Sequence, residues 1–72
     1  MVNMKEVERI KAKYPAGTRI KMLEDMDDKQ PILAGTLGTV CFVDDIGSIH
    51  MKWDNGRSLA LIEGVDVFEV IV

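Results

Sequence analysis

The sequence GTVCFVDDIGSIHMKWDNG, residues 38–56, alternates apolar runs with two turn signals that each end in glycine. Asn55-Gly56 tolerates the positive φ angles of a tight hairpin, and Asp45-Ile46-Gly47 holds the equivalent place one hairpin earlier. Strand, turn, strand, turn is the pattern of an antiparallel β meander. The stretch therefore predicts part of a small β-sheet, and it contains no group of residues that predicts a reaction.

The length of the second turn decides which side chains share a face. A two-residue loop at Asn55-Gly56 would place Leu59 and Leu61 on the polar face, whereas a three-residue loop, 54–56, keeps the large apolar residues together. Because register follows the buried face, we predict the three-residue loop, with positive φ at Gly56 and not at Asn55. The predicted pairs are Trp53–Arg57, Met51–Leu59 and Ile49–Leu61.

The first turn follows the same logic, and its predicted pairs are Val43–Ile49, Phe42–His50 and Cys41–Met51. Cys41 is then a buried small apolar residue and His50 a surface residue. Val40, Phe42 and Val43 cannot all point one way without a bulge. A Cys41–His50 catalytic pair would also need an orienting group, an oxyanion hole and a cleft, so no enzyme is predicted.

Length and composition limit the class of protein. The 72 residues make one domain with a small core, and 47% hydrophobic residues suit a globular chain. A single cysteine excludes a disulfide framework and a multi-cysteine zinc site, and it fits a reducing cytosol. No stretch approaches the roughly 20 apolar residues of a membrane span, and the N-terminus lacks a signal-peptide pattern. We therefore expect a cytoplasmic protein.

Residues 3–14 predict an amphipathic helix. Asn3, with Glu6 three residues later, resembles a capping box, and Pro15 ends the pattern. One stripe, at three- and four-residue spacing, contains Met4, Val7, Ile10 and Tyr14. Further strands are predicted at 18–23, 37–44, 48–53, 57–62 and 67–72, which suggests a small barrel. The predicted core comprises Ile20, Val43, Ile49, Met51, Trp53, Leu59, Leu61 and Phe68.

Basic residues cluster at the N-terminal end of the chain. Residues 1–21 hold six Lys and Arg against two Glu, and residues 22–72 hold three against ten acids. One interpretation is a basic arm for an anionic partner. The other, which we favour, is a basic helix lying near its own acidic barrel or facing solvent. The basic set is Lys5, Arg9, Lys11, Lys13, Arg19 and Lys21.

Acidic residues cluster in the predicted loop 24–35. An EF-hand beginning at Asp25 would need Gly at position 30 and Glu at position 36, where the chain has Gln30 and Thr36. No metal or cofactor is therefore predicted. A basic protein partner would relieve the self-repulsion of the carboxylates. The predicted protein-binding site is Glu24, Asp25, Asp27 and Asp28, with Asp44 and Asp45.

Several blocks, spread over about residues 14–71, resemble a small SH3-like family of unknown function from Gram-positive bacteria and their mobile elements. The blocks are Gly17-Thr18-Arg19-Ile20, Gly35, Gly38-Thr39-Val40, Val43-Asp44, Trp53-Asp54-Asn55-Gly56 and Asp66-Val67-Phe68-Glu69-Val70. The chain is similar, more weakly, to Mind-bomb/Herc-type domains and to KOW-type segments. KOW segments usually bring basic residues to RNA, whereas this chain has acids from Glu24 to Asp28 and at Asp44 and Asp45. The resemblance implies a fold and no activity.

We therefore predict an α+β fold in a single domain, 1–72, with an N-terminal helix over 3–14 and a small five-stranded SH3-like β-barrel over 18–72. The predicted function is a non-enzymatic binding module for a protein partner, without a cofactor or membrane contact, as a monomer or weak dimer. The alternative is nucleic-acid or nucleoprotein binding through the basic helix and first strand. The two differ in the salt dependence of affinity.

Overall fold

The computed structural model describes residues 3–71, which form one helix and five strands. The helix α1 covers Met4–Lys13, and the strands are β1 (Arg19–Met22), β2 (Leu37–Val43), β3 (Ser48–Trp53), β4 (Leu61–Ile62) and β5 (Phe68–Ile71). The predicted α+β class is confirmed; Val72, the last residue of the predicted fifth strand, lies outside the described residues. Within 3–71 no helix is long and apolar enough to cross a membrane.

The helix begins and ends where the sequence predicts. The Asn3 side chain accepts a hydrogen bond of 2.8 Å from the Glu6 backbone N–H and so caps the first turn. Met4, the first residue of the predicted stripe, is 79% exposed and lines a groove of about 360 Å³ beside the helix. The rest of the stripe packs inward, and its buried residues are Val7, Ile10 and Tyr14.

The five strands form one antiparallel sheet in the order β4-β3-β2-β1-β5. The sheet is not closed into a barrel, so that prediction is wrong. Residues 57–60 lie outside the strands, and the Leu59 carbonyl accepts the indole N–H of Trp53 at 2.8 Å. β4 is only two residues long, and it pairs with β3 alone. Two edges, β4 and β5, remain in the described part of the sheet.

The first hairpin contains a bulge at Cys41. Val43 pairs with Ile49 and Phe42 with His50, as predicted, but Val40 rather than Cys41 pairs with Met51. The predicted Cys41–Met51 pair is therefore wrong. Cys41 is the extra residue of the bulge, and it is exposed rather than buried.

The second hairpin has the predicted three-residue turn. Gly56 has a φ of 88°, and every non-glycine residue of the described chain, Asn55 included, has negative φ. The Trp53 N–H donates to the Arg57 carbonyl at 2.9 Å. Pairing resumes at Ile49–Leu61, as predicted. The predicted Met51–Leu59 pair is wrong, because Leu59 lies in the irregular segment held by the Trp53 indole.

One core lies between the helix, the inner face of the sheet and the loop 23–36. Six of the eight predicted core residues are buried, and Leu59 and Phe68 are partly buried against them. Trp53 is 1% exposed and packs over Gly38. The buried residues that the predicted strand core did not include are Val7, Ile10, Tyr14, Met22, Met26, Ile32 and Val40.

Replacement of Gly56 by alanine is expected to destabilise the domain by about 1 kcal/mol. A Cβ at Gly56 would meet nothing within 4 Å, so the cost comes from the left-handed backbone alone. Urea unfolding followed by circular dichroism measures it. Gly56→Asn is the matched control, and it should cost less because asparagine tolerates positive φ. An alanine variant as stable as the wild type would contradict the assigned turn.

Candidate functional site

The bulge at Cys41 turns a large aromatic side chain out of the core. In a regular strand Phe42 would point to the same face as Val40, whereas here Phe42 is 55% exposed and Val43 is the next buried residue. The Phe42 ring lies parallel to the His50 ring, with centroids 4.4 Å apart and planes 7° apart. The strand pair thus displays a stacked aromatic pair on the outer face of the sheet.

Asp44 fixes the position of His50. Its Oδ2 atom lies 2.8 Å from His50 Nε2, and its Oδ1 atom accepts the backbone N–H groups of Ile46 at 3.1 Å and Ser48 at 2.9 Å. The bond to His50, followed by the bonds to Ser48 and Ile46, holds the pKa of Asp44 below its usual value. We call Phe42, His50 and Asp44 the Phe42 platform. Asp44 bonds to the turn and to His50, and His50 stacks on Phe42, so the three side chains form one connected unit.

Sequence reasoning placed Asp44 in an acidic site and left His50 as a lone surface residue. The signal that connects them was present, because an aspartate that opens a tight turn commonly accepts backbone N–H groups two residues on. The predicted Phe42–His50 pairing also brought His50 to the strand that ends at Asp44. What the sequence did not reveal was the outward direction of Phe42, which depends on where the bulge falls.

Cys41 lies next to the platform but is not part of it. Its thiol is exposed, while the Nε2 atom of His50 is engaged by Asp44. The groove near Met4 lies between the helix and Asp45, not at Cys41. Among residues 3–71 no group of three His, Cys, Asp or Glu side chains could hold a metal ion.

The acidic loop uses half of its predicted site residues to hold its own backbone. Asp25 accepts the Ala34 N–H at 2.8 Å, and Asp28 accepts the Gln30 N–H at 2.9 Å. Neutralising these two would therefore disturb loop structure as well as charge. The remaining carboxylates of the loop are exposed to solvent; they are Glu24 and Asp27.

The structure does not bring the two acidic groups together. The loop enters β2 at Leu37, and Asp44 and Asp45 follow its last residue, Val43. The seven-residue strand between the end of the loop and Asp44 spans about 20 Å. The six predicted binding carboxylates therefore form two surfaces at opposite ends of the sheet, and Asp44 belongs to the Phe42 platform.

Basic residues of the helix are paired with acids of the sheet region. Arg9 bonds to Glu63 and also to Glu6 within the helix, and Lys13 lies 3.6 Å from Glu63. Lys11 lies 3.0 Å from Asp45. The bond from Arg9 is the main cause of a lowered pKa at Glu63. These contacts match the interpretation of a basic helix lying near its own acidic sheet.

Arg19 on β1 is also engaged. Its guanidinium contacts both carboxylate oxygens of Asp54, at 2.9 and 2.7 Å, and donates to the Thr39 hydroxyl at 2.8 Å. The same contact lowers the pKa of Asp54. Four of the six residues in the predicted basic set thus have acidic partners; the other two are Lys5 and Lys21.

Comparison with known proteins places the chain in a family whose description assigns no function. The family model described as a domain of unknown function, DUF4314, matches residues 3–71. The resemblance to a family of unknown function, seen in the sequence blocks, is confirmed at that level. No curated protein and no solved structure matches the chain.

Proposed function

Because the chain belongs to the DUF4314 family, whose description assigns no function, we propose its function from its own geometry: a non-enzymatic module that binds a protein partner. The observation that supports this most directly is the Phe42 platform. A β-bulge directs the half-exposed Phe42 ring to solvent. His50 stacks on that ring, and Asp44 bonds to His50.

A rigid exposed ring is well suited to binding. Aromatic anchors carry much of the free energy of protein interfaces, and a ring that is already ordered loses little conformational entropy on association. Phe42 is held by its stack on His50, and His50 by Asp44. A partner that places an apolar side chain over Phe42 would bury that ring without reorganising the hairpin.

The acidic loop has a separate role in this proposal. Exposed charges at the rim of an interface mainly raise the association rate. Glu24 and Asp27 are free of the backbone contacts that occupy Asp25 and Asp28, so they are the pair that would attract a basic partner. They lie at the other end of β2 from the platform, so they would act on approach rather than at the anchor.

Nucleic-acid or nucleoprotein binding through the basic set is the alternative. The ion pairs of Arg9, Lys11, Lys13 and Arg19 count against it, because each would have to exchange a carboxylate for a phosphate. A complex with nucleic acid would lose affinity steeply with added salt. A complex anchored on Phe42 would change far less.

Two finer assignments complete the proposal. The strand order, in which β5 pairs with β1 beside a meander of β1 to β4, supports an SH3-like arrangement with an open sheet.

The single cysteine is a free, exposed thiol, which fits a reducing compartment such as the cytoplasm. No cofactor is required.

Replacement of Phe42 by alanine is expected to weaken the protein complex at least tenfold while the domain stays folded, because a central aromatic anchor commonly contributes more than 1–2 kcal/mol. The measurement is affinity purification from nuclease-treated lysate of the source organism, followed by titration of the recovered partner at two salt concentrations. Circular dichroism checks the fold.

Leu33→Ala is the matched control, because Leu33 has the same 55% exposure and lies in the acidic loop. It should leave binding within about twofold of the wild type. If Leu33→Ala abolishes binding of the partner and Phe42→Ala does not, the binding site lies in the acidic loop. Loss of the complex after nuclease treatment would favour the nucleic-acid alternative.

A further inference from the structure

We propose that the outer edge of β5 accepts an extended strand of a protein partner, with a lysine or arginine opposite Glu69 and apolar residues on either side. This edge is separate from the Phe42 platform, and its role rests on the proposed protein-binding function. Three features support it: the direction of the backbone groups, the composition of the strand and the charge at its centre.

The backbone of β5 presents hydrogen-bonding groups to solvent at alternate residues. The Leu23 N–H donates to the Val67 carbonyl at 2.9 Å, so that pair of the β1–β5 ladder is hydrogen-bonded. In an antiparallel ladder bonded and non-bonded pairs alternate, so Glu69 bonds to β1, whereas Phe68 and Val70 direct their N–H and C=O groups away from it. These outward groups match what an added strand requires.

Apart from the charge of Glu69, the composition of β5 gives it little protection against pairing. Edge strands are usually blunted by lysine, proline, a bulge or extreme shortness. β5 is four residues long, FEVI, and has none of those features, whereas the other edge, β4, has only two residues. Val70 is 47% exposed although it pairs with the fully buried Ile20. An apolar side chain from an added strand would cover Val70 and extend the core.

Charge favours a basic partner strand over a second copy of this chain. In a two-fold antiparallel dimer that pairs Phe68 with Val70 of the other copy, the two Glu69 side chains would lie directly opposite each other. Like charges in that position are destabilising, whereas an opposite charge is favourable. The alternative two-fold register, centred on Val70, uses only that outward residue of the described strand. On the β1 side Glu69 already faces Lys21, so its open side is the outer edge, and the favoured occupant carries a cation there.

The test titrates the ¹⁵N-labelled chain with a capped peptide, Thr-Val-Lys-Val-Lys-Val-Thr, and with the same peptide carrying Glu in place of Lys. We expect the lysine peptide to bind and to slow hydrogen exchange at the Phe68 and Val70 amides. Glu69→Lys should reduce affinity for the lysine peptide at least tenfold and reverse the preference towards the glutamate peptide. Val70→Pro removes an outward N–H, which edge strands tolerate, and should abolish the protection of the remaining Phe68 amide and weaken binding at least tenfold.

Phe42→Ala is the control that separates the two proposed surfaces, and it should bind the lysine peptide like the wild type. Peptide binding that is lost with Phe42→Ala and kept with Val70→Pro would overturn the edge site and leave the platform standing. A folded chain that binds neither peptide would overturn the inference. So would a dimer in sedimentation with its Phe68 and Val70 amides already protected, because the occupant would then be a second copy.

Discussion

Replacement of Trp53 by alanine is expected to leave the domain largely unfolded at 25 °C. Trp53 is 1% exposed, and truncating a buried large aromatic costs about 3–5 kcal/mol. A domain of this size has only about 3–5 kcal/mol of stability in total. The substitution also removes the indole donor from the Leu59 carbonyl, so that the segment 57–60 keeps the backbone bond from Trp53 to Arg57 but loses the side-chain bond. Far-ultraviolet circular dichroism and urea unfolding measure the loss.

Trp53→Phe is the matched control for this prediction. It keeps an aromatic side chain in the core but removes the N–H, so it should be less stable than the wild type and still folded. Phe42→Ala, which removes an exposed aromatic ring, should remain folded as well. A Trp53→Ala chain that keeps a cooperative unfolding transition near that of the wild type would contradict the assignment of Trp53 as the central core residue.

The parts of the fold that the sequence predicted are those governed by local geometry and by the buried face. Asn3 caps the start of the helix, and Pro15, which has no backbone N–H to donate, ends it. Both effects act within a few residues. The turn at Gly56 followed from asking which loop length keeps the apolar residues together. Both inferences hold because neither depends on distant contacts.

The parts that were missed depend on contacts between distant segments. The sheet stays open, with β4 reduced to two residues, and the preceding segment bonds instead to the Trp53 indole through the Leu59 carbonyl, a side-chain bond that no periodicity reveals. Met26 and Ile32 lie among acids in a segment without strand or helix spacing, yet both are buried in the core. These two side chains attach the acidic loop to the core, and two of its carboxylates bond to its own backbone.

The candidate site was only half predictable for a related reason. The pairing of Phe42 with His50 came from the register, but the sequence allowed the bulge to fall at more than one position between Val40 and Val43. The position of the bulge decides which side chains face solvent: Cys41 alone, Phe42 alone, or both. In the structure both do, so one extra residue converts a core aromatic into an exposed one. The Phe42 platform is a product of that bulge.

Replacement of Gly38 by alanine is the second substitution with a large expected effect, about 2–3 kcal/mol of destabilisation, the upper part of the range for overpacking. A Cβ at Gly38 would lie 2.5 Å from Trp53 Cε3 and 3.0 Å from Trp53 Cδ2. The nearby methyl group of Met51, at 3.1 Å, can move, but the indole is fixed by its bond to Leu59. Urea unfolding gives the free energy of the variant.

A double-mutant cycle with Trp53→Phe separates this clash from a general intolerance of alanine in β2. Phenylalanine has no atom equivalent to Trp53 Cε3, the atom that the new Cβ would approach most closely, so Gly38→Ala should cost less in the Trp53→Phe background than in the wild type. Gly56→Ala gives the scale for a purely conformational penalty, about 1 kcal/mol. If Gly38→Ala costs the same free energy of unfolding in both backgrounds, a clash with Trp53 is not the reason for a glycine at this position of β2.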